Sequence, residues 1–312
     1  MALTGKTDFP LGGSNDRSTL QKFYHVPVVG AKMMPVVGNL FYVSSTLGSA
    51  TGPGYTPHNA YSTIDAAVGA CTANNGDVII VLPGHVETVS AAGGLALDVA
   101  GITIIGVGEG TLQPKVDLTT ADTADVDIDA ANITVENLQF EASFADIAAV
   151  IDVNADDFTI RNCRFLEPTT NENFLVCIQD AAAGGSDRIT VENCYAQCPD
   201  AANTHFINLA GTGDGHIIRG NLLQGDWGTM AVGGAGVVTN CKVLNNIIAN
   251  AASTNDGCIN FAATATGMVF NNHCAGAAAQ ANGVTATAML ISQNYYGVIS
   301  EDLSAILDPI AT

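Results

Sequence analysis

The chain has 312 residues, 47% of them hydrophobic and only 13% charged, with 30 acidic residues against 10 basic ones and a formal net charge of −20. A charge of that sign argues against nucleic acid as a partner, because phosphates are bound by neutralising them. No stretch is long and apolar enough to span a membrane, and residues 1–13 show neither the basic nor the apolar region of a conventional signal peptide.

Residues 1–40 form an arm that follows no repeat. It carries two PVVG words, at 27–30 and 35–38. Pro and Gly break any helix there, yet the segment is too apolar for a free tail. Val28, Val29, Met33, Met34, Val36 and Val37 need cover, so the arm is expected to act as an assembly segment against another chain. Residues 41–77 follow as a leading strand, a Gly-rich turn and a short amphipathic helix. Ser62 is placed to cap this helix, and Ile64, Ala67, Val68 and Cys71 make its apolar stripe. A helix here covers the open end of whatever sheet comes next.

From residue 78 the chain repeats itself. "ANITVENLQFE" begins at Ala131 and "DRITVENCYAQ" at Asp187, with related words before, between and after. Aligned on the residue after each β-branched run, they give Gly106, Asn137, Asn162, Asn193, Gly220, Asn245, Asn272 and Gln293. The steps are 31, 25, 31, 27, 25, 27 and 21 residues. Short alternating strands at such a period specify an all-β fold, a parallel β-solenoid over residues 78–297. The Asn residues turn one recurrent corner in a left-handed backbone conformation, with their amides placed to bond between coils. Cys163 and Cys194 directly follow such an Asn and should stack on neighbouring coils. The eight cysteines lack metal or redox spacing and read as small buried hydrophobes, with an inter-coil disulfide the lesser reading.

"DLTTADTADVDIDA", at 117–130, is the strongest acidic cluster. Alternation puts Asp125, Asp127 and Asp129 on one outward face, where they serve either as a calcium site or as a solvated wall, the second reading being preferred. No other cofactor is expected. The six histidines show no ligand spacing, and His273 is assigned to a repeat corner. Trp227 is the only tryptophan, which argues against broad aromatic platforms for sugars. Residues 298–312 read as a terminal cap containing a short helix, with Ser300 as its N-cap, Leu303, Ile306 and Leu307 on its apolar face, and Pro309 ending it.

The stretch at 63–89, "TIDAAVGACTANNGDVIIVLPGHVETV", resembles the capping helix and first coil of the pectate-lyase-like right-handed β-helix superfamily, and the "ITVENC" words resemble its later coils. Residues 38–67 look like the beginning of many phage-encoded β-helix proteins. The resemblance implies one of two functions. The first is a non-enzymatic structural protein of a phage particle, a capsid decoration or appendage, made in the host cytoplasm and released by lysis. Its partners would be other virion proteins and two further copies of itself. The alternative is a tailspike-type carbohydrate-active enzyme or binder of a host-surface glycan.

Glycoside hydrolysis needs two carboxylates, one held protonated. Asp152, the Asp156–Asp157 pair, Asp214 with His216, and Asp226 beside Trp227 are the candidates, with Asp157, Asp214 and His216 the fallback catalytic set. Turn positions account equally well for Asp156, Asp157 and Asp214. No acid, base and cation set is visible around Arg161, Arg164, Arg188 or Arg219, and the reading favoured at this stage is no catalysis.

Overall fold

The computed structural model describes residues 37–169, 171–180, 184–252, 257–276 and 283–298. These form a parallel β-solenoid of about eight turns. Each full turn contributes one strand to each of three sheets, here numbered in the order the chain visits them. Sheet 1 has ten strands, sheet 2 nine and sheet 3 eight. In one coil the chain runs through Thr134–Glu136 in sheet 1, Gln139–Ser143 in sheet 2 and Ile151–Val153 in sheet 3. It then re-enters sheet 1 at Thr159–Arg161, paired in register with the strand one coil below.

The alternation seen in sequence is the alternation of burial. Val135, Ile160, Val191 and Ile218 lie opposite one another inside sheet 1 and are buried. Inside the coil, Phe140 and Phe165 stack at 5.0 Å between ring centroids, and Phe206 meets Phe165 edge-on at 5.4 Å. Outside, Glu136, Arg161, Glu192 and Arg219 alternate in sign up one column of sheet 1. Arg161 pairs with Glu136 at 2.8 Å and Arg219 with Glu192 at 3.0 Å. These are wall residues facing solvent.

The corner between sheets 1 and 2 is turned as expected by Asn137, Asn162, Asn193, Gly220 and Asn245, all with φ between +52° and +67°. Asn272 is a correction. The left-handed residue of that coil is Asn271, at φ +52°, and Asn272 is the next residue, with its side chain inside. The strand Gly267–Phe270 ends before the first Asn of the doublet, so that Asn must turn and its neighbour must point inward. At the corner itself Asn271 Nδ2 donates to Asn245 Oδ1 on the neighbouring coil at 2.8 Å, as expected of corner amides, and a longer amide ladder runs on the inward side through Asn221, Asn246, Asn272 and Asn294. Each Oδ1 accepts the backbone N–H of the Asn one coil below, at 2.9–3.0 Å. Cys163 and Cys194 occupy the same inward column in earlier coils, where Asn221 Oδ1 accepts from Cys194 N at 2.8 Å. Among the described residues all eight cysteines are free thiols, and all but Cys71 are buried.

The first strand of the solenoid is Leu40–Val43, not residue 78 onward, because it pairs in register with Val78–Val81 in sheet 1. The helix spans Ile64–Val68 and is capped by Thr63 rather than Ser62: Thr63 Oγ1 accepts from Ala66 N at 3.2 Å. Glu87 Oε2 adds a second buried cap by accepting from Ile64 N at 2.8 Å, and His85 Nε2 meets the same oxygen at 2.8 Å. Ile64, Ala67 and Val68 bury into the core, as their spacing required. Val28, Val29, Met33, Met34, Val36 and the proposed terminal helix lie outside the described residues; Val37 is exposed.

Candidate functional site

Sheet 3 carries a group of carboxylates on neighbouring strands. Its strands Val126–Ile128 and Ile151–Val153 have buried ends and a half-buried central Asp, so Asp127 and Asp152 both point outward. The register sets Asp127 directly opposite Asp152 on the next strand, with their backbones about 4.8 Å apart by the spacing of paired strands. Gln179 and Asn208 continue the same outer column, with Asn208 Nδ2 donating to Gln179 Oε1 at 3.0 Å.

Both carboxyls titrate above the ordinary carboxylate range, burial being the first cause in each. Burial, then the charges of Asp125, Asp129 and Asp152, push Asp127 up to about 6. Asp152 is raised as well, first by burial and then by Asp125 and Asp129, and its Oδ1 is buried without a hydrogen-bond partner. At the inner end of the next strand, Asp180 is fully buried and also raised to about 6, chiefly by burial, while Ser186 N donates to its Oδ1. These carboxyls therefore keep their protons to higher pH than ordinary carboxylates, the direction in which a general acid is tuned.

Asp125, Asp127 and Asp129 do share the outward face foreseen for them. A strand rise of about 3.3 Å per residue nevertheless sets Asp125 and Asp129 about 13 Å apart, too far to ligate one ion. Asp125 accepts from Gly93 N, and Asp129 from Asn154 Nδ2 at 3.2 Å. Among the described residues no group of three or more His, Cys, Asp or Glu side chains is arranged to hold a metal ion.

The fallback set gathers at another place, the turn leading into sheet 1, and its contacts are structural. Arg188 Nη2 donates to Asp157 Oδ2 at 3.0 Å and to Asp156 Oδ2 at 3.3 Å. The Arg188 hydrogen bond holds Asp157 below the ordinary carboxylate range. Asp214, lowered by hydrogen bonds from Thr239 and Asn240, is likewise fixed as an anion. His216 is fully buried, and burial lowers it to about 4, so it is neutral and out of reach of solvent. His273 is corrected too: it stands on the outer face of sheet 2, stacked on Tyr295 at 4.8 Å, not at a corner. Trp227 is fully buried. Grooves of about 490 Å³ and 530 Å³ lie on sheets 2 and 1, and neither is lined by Asp127 or Asp152.

The Asp127–Asp152 pair was missed in sequence although the signal is there. "VDI" at 126–128 and "IDV" at 151–153 are the same apolar–Asp–apolar word one repeat step of 25 residues apart.

No family model matches the chain, and no curated protein matches it. Among solved structures it is similar to a GH136 lacto-N-biosidase from Eubacterium ramulus. The selenomethionine form matches at 13% identity and a TM-score of 0.39, and the native form at 11% and 0.29. Both alignments cover 84% of this chain and 68% of the other. The likeness is one of fold. It corrects the sequence-based expectation of a non-enzymatic protein: a solved structure to which the chain is similar is that of a glycoside hydrolase, and the expectation of no catalysis is not carried forward.

Proposed function

We propose that the chain is a glycan-directed β-helix of tailspike type, acting on or binding a surface polysaccharide through the outer face of sheet 3. The observation that carries this reading is the Asp127–Asp152 pair, two carboxylates on adjacent strands with raised affinity for protons. With their Cα atoms one strand spacing apart, the two side chains can bring their carboxyl groups to the roughly 5–5.5 Å at which such a pair hydrolyses a glycoside with retention. The protonated member delivers its proton to the leaving oxygen, and the ionised member attacks or stabilises the anomeric carbon. Gln179 and Asn208, on the following strands, offer amide groups to sugar hydroxyls along the coil axis.

The test is hydrolysis of a panel of bacterial surface glycans by the full chain, with Asp127→Asn and Asp152→Asn as variants. Each variant should lower the rate by about 10²–10⁴-fold, the usual worth of a general acid or base. The Asp157→Asn, Asp214→Asn double variant should leave it unchanged. If glycans bind without turnover, the two sheet 3 variants should alter binding. Hydrolysis that survives Asp152→Asn, or that disappears in the double variant, would refute the assignment.

A further inference from the structure

Charge is segregated along this chain. Between Trp227 and Val298 the only acidic residue is Asp256 and the only basic one Lys242. The last coils therefore carry almost none of the net charge of −20. The outer face of sheet 2 changes character accordingly. Tyr195, Leu222, Ile247 and, beyond His273, Tyr295 stand in one column on successive strands. Leu222 is 38% exposed and Ile247 55% exposed, with a shallow groove of about 310 Å³ beside them. Around the Asn corner, Leu244 and Phe270 continue this neutral surface on sheet 1.

We propose that this carboxylate-free wedge, formed by sheets 1 and 2 over the last coils, is the surface through which copies of this chain associate. Two molecules of charge −20 that meet elsewhere bring carboxylates together and desolvate them. Here they meet over Leu, Ile and Tyr. A copy of the chain needs a face without carboxylates, and the exposed Lys242 adds none, whereas a foreign partner would be held better by basic groups matched to the acidic coils. Leu222 and Ile247 give a sugar no hydrogen bonds, which sets this face apart from sheet 3. About four strands at 4.8 Å, each about 13 Å long and taken on two sheets, give roughly 500 Å² of projected face. That is comparable to the ~800 Å² of accessible surface that a stable contact takes from each partner.

The experiment is sedimentation equilibrium of the full chain across the micromolar range. The parent should show a mass above the 31.9 kDa of one chain. The Leu222→Glu, Ile247→Glu variant should raise the dissociation constant by at least about 100-fold, because like charges then face each other across the contact. Both side chains point outward, so circular dichroism should match the parent. Should the double variant fail to fold, Ile247→Lys supplies the second reading. Val86→Glu, at the charged end of the same column, should leave association unchanged. A parent that stays monomeric, or an oligomer that persists in folded Leu222 and Ile247 variants, overturns the proposal.

Discussion

Replacing Asn246 with Ala tests the inward amide ladder, the feature that most departs from the sequence-based expectation. Asn246 is fully buried. Its Oδ1 accepts from Asn221 N at 3.0 Å and from Asn221 Nδ2 at 2.9 Å. Its Nδ2 donates to Ile218 O at 3.0 Å and to Asn272 Oδ1 at 2.9 Å. Truncation leaves the Asn221 N–H buried and unpaired, at about 1–3 kcal/mol, and removes three further bonds worth about 1 kcal/mol each or less. A loss of about 3–5 kcal/mol follows, read as a lower denaturant midpoint and as faster hydrogen exchange of the Asn221 amide. Asn246→Cys should lose less. Cys163 fills the same column, and its Sγ accepts from Leu138 N at 3.4 Å. Asn245→Gly, one residue away, should change stability by only a few tenths of a kcal/mol, since the left-handed corner suits Gly. If Asn246→Ala costs less than about 1 kcal/mol, or no more than Asn245→Gly, the ladder does not hold the coils together and the reasoning fails.

Two further outcomes are expected. Asp127 and Asp180, both raised to about 6 from 3.8, hold their protons more tightly in the folded chain than in the unfolded one. Their contribution is therefore present in acid and lost as pH rises from about 4 to about 7. Asp127→Asn should accordingly melt higher than the parent near pH 7.5 and close to it near pH 4, and an equal gain at both pH values would contradict the carboxylate crowding. Thiol reagents should find almost nothing in the native chain, because seven cysteines are buried and burial pushes the partly exposed Cys71 up to about 12. All eight should react after unfolding, and prompt native labelling of more than one would contradict the packing.

The repeat words by themselves determined the parallel solenoid, the inward and outward sides of each strand, and the corner at Asn137, Asn162, Asn193 and Asn245. These are local matters: period-two alternation selects the face, and a tight corner selects Asn or Gly. The inward place of His216 was legible on the same terms, since it occupies in its word the position that Ile133, Phe158 and Ile189 hold in theirs. The tertiary structure decided which carboxylates meet. Coils of 25 and 31 residues differ in their loops, so the 25-residue step between the words at 126–128 and 151–153 only suggests a pairing, and the closed coil fixes Asp152 as the residue opposite Asp127. The same closure settled the second Asn of each doublet, whose value lies in bonding to coils that sequence distance does not place beside it. Proton affinity near neutral pH likewise belongs to the assembled sheet: Asp127 alone in a strand is an ordinary carboxylate, and it becomes an acid of about 6 because folding buries it and places Asp125, Asp129 and Asp152 around it.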